Sequence, residues 1–251
     1  MNSQLKYTDG IWFYPFMLTL AIWFVKVLEV RYNLYFTAFG ILPRTFSGLR
    51  GVVFSPFIHA DLKHLWANTA PFFVTSAMLY YFYRNIFWKL LLYGILFSGL
   101  VTWLIARQSY HIGISGLIYA NVSFLFFAGV FSKNYRLMAV SLLIIFLYGG
   151  MIWYIFPTEK SISWEGHLSG LLVGFIMAFY YRNQVLPKEK KYAWEQEYYN
   201  PEQDEFMQSF DENGNFIDPP EEPEIPLEPE MLREEQAKVK IVYTIKPTKK
   251  D

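Results

Sequence analysis

Apolar runs long enough to cross a hydrocarbon core recur along the first 182 residues and then stop. They are Ile11–Leu28, interrupted only by Lys26, then Leu65–Tyr83, Leu90–Ala106, Ser115–Ser132, Leu137–Thr158 and Gly166–Tyr181. A bilayer core takes roughly 17 to 25 helical residues. The pattern therefore predicts six transmembrane helices, with Lys26 snorkelling toward the outer end of the first. Residues 32–56 alternate aromatic, basic and glycine positions without a long apolar run. Such an amphipathic loop is expected to lie in the membrane interface.

Charge divides the chain at the same place. Residues 1–182 carry 5 acidic and 13 basic side chains, whereas 183–251 carry 17 acidic and 9 basic, so the net charge of zero is a cancellation. The domain reading is a polar N-terminus over 1–10, a six-span membrane domain over 11–182, and an acidic, Pro-rich tail over 183–251. That tail includes Pro219-Pro-Glu-Glu-Pro-Glu-Ile-Pro-Leu-Glu-Pro-Glu230, which cannot bury enough apolar surface to fold alone. The tail is expected to be mostly disordered, with a short helix at Met231–Lys240 and a strand-like Ile241–Ile245 as the pieces able to meet a partner.

Six spans put both termini on one face. Nine basic residues fall on that face and seven on the other, which by the positive-inside rule predicts cytoplasmic termini. Residues 1–10 hold one Lys and one Asp, a weak basic start for a cleaved signal peptide, and no small-residue cleavage site follows, so a cleaved leader is not expected. Basic residues are scattered at span ends, so nucleic acid is not an expected partner; the lipid bilayer is.

Chemistry must come from polar groups inside the spans, where ionisable side chains are costly and signal function. The chain has no cysteine, which excludes disulfides and thiolate sites, and it has four histidines. His64 and Asn68 are spaced to share one helix face. They suit donation to an oxyanion, or hydrogen bonding between helices. Gly113-Ile-Ser115-Gly116 places a hydroxyl at a helix start between two glycines, as a nucleophile or as small-residue packing. Gly166, Gly170 and Gly174 form a stripe for close helix approach, bordered by His167. If the partner helix is the one starting at Ser115, imidazole and hydroxyl would meet, giving an activated nucleophile.

Taken together, His59, His64 and Asn68, then Gly113, Ser115, Gly116 and Tyr119, then His167, Gly170 and Gly174 resemble the rhomboid family of intramembrane serine proteases, in its bacterial six-span form. The resemblance covers residues 11–182 and none of the tail. It implies an all-α membrane bundle in which Ser115 is the nucleophile and His167 the general base. His64, Asn68 and the Ser115 backbone N–H would stabilise the oxyanion, and Tyr119 would support the histidine ring. His59 would be structural, and Gly113, Gly116, Gly170 and Gly174 would shape the turn and the helix contact. It implies transmembrane protein substrates, unwound near their outer ends, no metal or organic cofactor, and a place in the bacterial inner membrane.

Some residues depart from the family pattern. The first loop has Pro43-Arg-Thr-Phe46 in place of the Trp-Arg pair many members carry, so a different anchor in the interface is expected. Asp61 and Lys63 have no assignable role, and His111 reads as a polar loop residue whose replacement by alanine should change little. A catalytically inactive relative that binds transmembrane clients is the competing reading; the presence of both Ser115 and His167 argues against it. A transporter would show a duplicated half, and none is visible. There is no His-Glu-x-x-His zinc motif and no pair of aspartates in separate spans.

Overall fold

The computed structural model describes residues 7–147, 153–159, 162–183, 192, 194, 198–204, 206–211 and 213–217. The chain divides into two units, 1–188 and 189–251. Among the described residues the first unit is helical: α1 (Gly10–Tyr32), two one-turn helices α2 (Phe46–Leu49) and α3 (Gly51–Phe54), then α4 (Leu62–Tyr83), α5 (Phe87–Ile105), α6 (Ser115–Ser132), α7 (Tyr135–Leu147) and α8 (Trp164–Tyr180).

Helix α6 is the centre of the bundle. Its sequence is apolar on all faces, as a helix enclosed by others must be, and Leu117, Ile118, Ala120, Val122, Phe124 and Leu125 are all buried. It packs on α4, α5, α7 and most extensively α8, while α1 stands outside against α4. The outer faces carry the exposed apolar side chains, among them Trp12, Phe16, Phe24, Leu92, Leu104 and Ile176. In a bilayer those faces meet lipid.

Among the described residues three stretches are long and apolar enough to cross a membrane: α1, the α4–α5 pair joined by a turn at Arg84–Ile86, and α6. Helix α7 is shorter. The expected span 137–158 is helical to Leu147; residues 148–152 are outside the described set, and Trp153–Ile155 is a 3-10 turn. Helix α8 begins at Trp164, capped by Ser163, whose hydroxyl accepts from the Gly166 N–H at 3.3 Å.

Lys26 does not snorkel. It is buried in α1, bonded to Glu29 at 3.0 Å and to the carbonyls of His59 at 2.9 Å and Ala60 at 3.2 Å. Glu29 in turn accepts the Phe36 N–H at 3.0 Å. Two backbone carbonyls ahead of α4 lack helix partners, and an ammonium with three donors satisfies them together with a carboxylate.

The first loop is anchored through a different arginine contact. The Arg44 guanidinium caps the end of α5 by donating to Leu104 O at 3.0 Å and Ala106 O at 2.8 Å, and Trp103 Nε1 donates to Thr45 O at 2.9 Å. Orphan carbonyls at a helix C-terminus attract such a cation. Outside these anchors the loop turns Tyr35, Phe46 and Phe54 outward and holds Arg50 over the Phe39 ring at 4.5 Å.

The second unit shows only local order among its described residues. Pro201–Gln203 and Met207–Ser209 are 3-10 turns, and Asp211 closes a turn by accepting from the backbone N–H of Asn213 and Asn215. The expected helix at 231–240 and strand at 241–245 lie outside the described residues.

Candidate active site

Two helix starts meet at this site, and glycine lets them meet. A Cβ added at Gly170 would fall on the Gly116 carbonyl oxygen, and one at Gly174 on that of Ala120. Backbone therefore lies directly on backbone between α6 and α8. The consequence is short side-chain reach between the first turns. Ser115 Oγ lies 2.9 Å from His167 Nε2.

The imidazole is held on three sides. Its Nδ1 lies 2.9 Å from the carbonyl oxygen of Tyr154 in the α7–α8 loop. A carbonyl can only accept, so Nδ1 carries the proton and Nε2 presents its lone pair to the Ser115 hydroxyl. The Tyr119 ring, one turn along α6 from the serine, stacks on the imidazole with centroids 4.3 Å apart and planes within 10°. A backbone carbonyl has no side-chain signature, so this third contact was invisible in the sequence.

Across the serine lies the start of α4. Asp61, left without a role above, is its N-cap and accepts the His64 N–H at 2.7 Å. The His64 ring lies against Gly113, where an added Cβ would stand 2.9 Å from Cε1 and 3.1 Å from Nε2. Gly113 also has φ of +104°, so the turn before Ser115 needs glycine for its backbone and for this close approach. Asn68 donates one N–H to His64 O at 3.0 Å and lines a small cleft with Ile114, the residue before the serine. Ser115 is the first residue of α6, where backbone N–H groups have no helical partner.

His59 packs edge-on to His64, with centroids 5.0 Å apart, and is 1 % exposed. Neither ring nitrogen makes a well-formed hydrogen bond among the described residues, although the Phe57 carbonyl is nearby. Burial first, then the nearby His64 and Lys26, lowers its pKa from 6.5 to about 3. It is neutral at physiological pH.

His111 lies in the loop before α6, as read, but is only 4 % exposed. Nδ1 lies 2.6 Å from Ser163 Oγ, and Nε2 lies 3.0 Å from Arg107 O and 3.4 Å from Ser109 Oγ. Burial lowers its pKa, against a smaller raising effect of the Arg107 carbonyl. Beside it the buried Glu165 accepts the Arg107 N–H at 3.2 Å, with the guanidinium 3.6 Å away. Ser163 carried a legible signal, a serine ahead of an apolar run with Glu165 in the first turn. The Arg107–Glu165 pairing had none.

A cavity of about 40 Å³ opens beside Ser115, lined in part by Ser98, Thr102, His111, Ser163 and Gly166. Among the described residues no cluster of His, Asp or Glu has metal-binding geometry.

Residues 47–184 match the family model described as Rhomboid domain. The chain belongs to the rhomboid family. It is similar to uncharacterized proteins of Mycobacterium tuberculosis and Mycobacterium bovis, each 36% identical over 150 residues, covering 56% of this chain and 62% of theirs. An uncharacterized protein of Mycobacterium leprae is 31% identical over 140 residues, covering 52% of this chain and 55% of its own. The chain thus spans less than two thirds of the length of these relatives. Rhomboid membership and the apolar helices make it an integral membrane protein.

Proposed function

We propose that this rhomboid is an intramembrane serine endopeptidase acting on transmembrane proteins through a Ser115–His167 dyad. The observation that carries the reading is the 2.9 Å Ser115–His167 contact, with the imidazole oriented by the Tyr154 carbonyl and the Tyr119 ring. Ser115 Oγ attacks the scissile carbonyl as its proton passes to His167 Nε2. The C–N bond then breaks, with that proton delivered to the leaving amine, and water hydrolyses the acyl-enzyme by the same steps in reverse order of partners. The Tyr154 carbonyl stabilises the imidazolium that forms at each step.

Negative charge on the tetrahedral oxygen is met by the Ser115 N–H at the start of α6, by His64, and by the second N–H of Asn68. Each such donor contributes roughly 10²-fold to 10³-fold elsewhere. The cavity beside Ser115 is large enough to hold water, which suits a hydrolytic site within a membrane bundle. Substrates would be transmembrane helices opened near their outer ends, since a peptide bond within an intact helix is not accessible. The cell membrane with cytoplasmic termini is the matching location.

A serine-directed fluorophosphonate on the purified protein in detergent tests this. Wild type should label, Ser115→Ala should not label at all, and His167→Ala should label at least roughly 10³-fold more slowly, with folding intact by thermal melt. Labelling of Ser115→Ala at the wild-type rate would remove the nucleophile assignment. Folded wild-type protein that does not label would favour the inactive, client-binding reading.

A further inference from the structure

His111 and Ser163 stand in matching places: His111 precedes Ser115 by four residues, and Ser163 precedes His167 by four. One lies on the loop that delivers the nucleophile and the other caps the helix that delivers the base. They are joined at 2.6 Å.

The bonding at this junction is complete with one arrangement of protons. Arg107 O accepts, so His111 Nε2 carries the hydrogen; Nδ1 then accepts from the Ser163 hydroxyl, whose oxygen accepts the Gly166 N–H at 3.3 Å. The Ser163 carbonyl accepts the backbone N–H of His167 at 3.2 Å. His111 is fixed from its other side, since its backbone exchanges N–H and C=O bonds with Ile41, both at 2.9 Å. The loop then runs two residues to Gly113, whose N–H is held by Ser55 O at 2.9 Å, and on to Ser115. Arg107 adds a parallel tie, through Glu165 and through Ile162 O at 2.7 Å. The only slack between the clasp and either dyad atom is one helical turn or a short pinned loop.

We propose that His111 and Ser163 form a clasp that positions the Ser115–His167 dyad, so that His111 is a positioning residue of the reaction although it touches no reacting atom. The inference rests on the hydrolytic reading of that dyad. Without the clasp the loop and α8 still pack, but the serine and the imidazole lose their common reference. Misplacement by about 1 Å lowers catalysis by about 10²-fold.

The test uses the full chain in detergent with the fluorophosphonate, in His111→Ala, Ser163→Ala, Ser163→Thr and the double alanine variant. Each alanine should lower the saturating labelling rate about 10-fold to 100-fold while leaving the half-saturating probe concentration near wild type. Ser163→Thr, which keeps the hydroxyl, should restore most of the rate. The double variant should be no slower than the slower single one; a pure loss of helix capping would instead add to the loss of His111. Should His111→Ala not fold, Ser163→Thr against Ser163→Val reads the same bond with side-chain volume held constant.

A second readout is independent of activity. The chain has no cysteine, so S115C combined with H167C can be bridged by a short bifunctional thiol reagent. Adding H111A should slow that bridging severalfold. Unchanged labelling and unchanged bridging in folded H111A overturn the clasp. If wild type does not label, the hydrolytic reading fails, and the bridging rate alone decides the clasp: slowed bridging supports it, and unchanged bridging overturns it.

Discussion

Gly170→Ala puts the α6–α8 contact under direct test. The added Cβ falls on the Gly116 carbonyl oxygen and stands 3.0 Å from Tyr119 Cβ, whereas ordinary contact begins at 3.4 Å. The obstructing atoms are backbone in the most enclosed helix of the bundle, so α8 must yield. Restoring ordinary contact moves α8 away by more than 1 Å, and His167 lies one turn from the new methyl group. Displacement on that scale costs about 10²-fold in rate, and overpacking costs about 1–3 kcal/mol of stability. Gly94→Ala in α5 is the control. Its Cβ would meet the tip of Leu117 at 2.6 Å, with the next atom at 3.9 Å, and a side-chain end can swing aside. Fluorophosphonate labelling rates and thermal unfolding in detergent measure both variants. Gly170→Ala labelling within threefold of Gly94→Ala would refute the argument that glycine sets the dyad distance.

Two further outcomes follow from the α1–α4 region. Lys26→Met leaves Glu29 buried without its cation, which should cost about 3–5 kcal/mol; Lys26→Met with Glu29→Gln should recover only part, because the His59 and Ala60 carbonyls also lose their donor, and equal thermal stability of wild type and Lys26→Met would contradict the burial of the pair. His59 takes a proton in the unfolded chain below its ordinary pKa of 6.5 but resists it in the folded protein to about 3. Its contribution therefore makes stability fall as pH drops from about 6.5 toward 3, by at most about 1.4 kcal/mol per pH unit. His59→Leu should flatten the dependence of thermal stability on pH over that range; parallel curves would refute the assignment.

Much of the fold was legible because a bilayer imposes one rule along the chain. Backbone groups in lipid must be satisfied within a helix or a closed barrel, and long charge-free runs select the helix, so the helix starts at Ser115 and near Gly166 were readable from those runs and the glycines. The glycine spacing also implied close approach, a property of one helix face. Lys26 was misjudged because a snorkelling lysine and a buried, paired one have the same local sequence. The difference lies in the His59 and Ala60 carbonyls, 33 and 34 residues away.

The burial of His111 was not legible for the same reason. Its neighbours Tyr110 and Ile112 give no hint of Ser163, 52 residues on. The periodicity, charge and small-residue spacing of this sequence determined a multi-helix membrane bundle with a serine and a histidine at two helix starts. Only the tertiary structure decided that those starts face each other, that the Tyr154 carbonyl orients the imidazole, and that His111 ties the two sides. Helix formation and membrane burial depend on residues a few positions apart, whereas hydrogen bonds between loops depend on where distant segments are brought by packing.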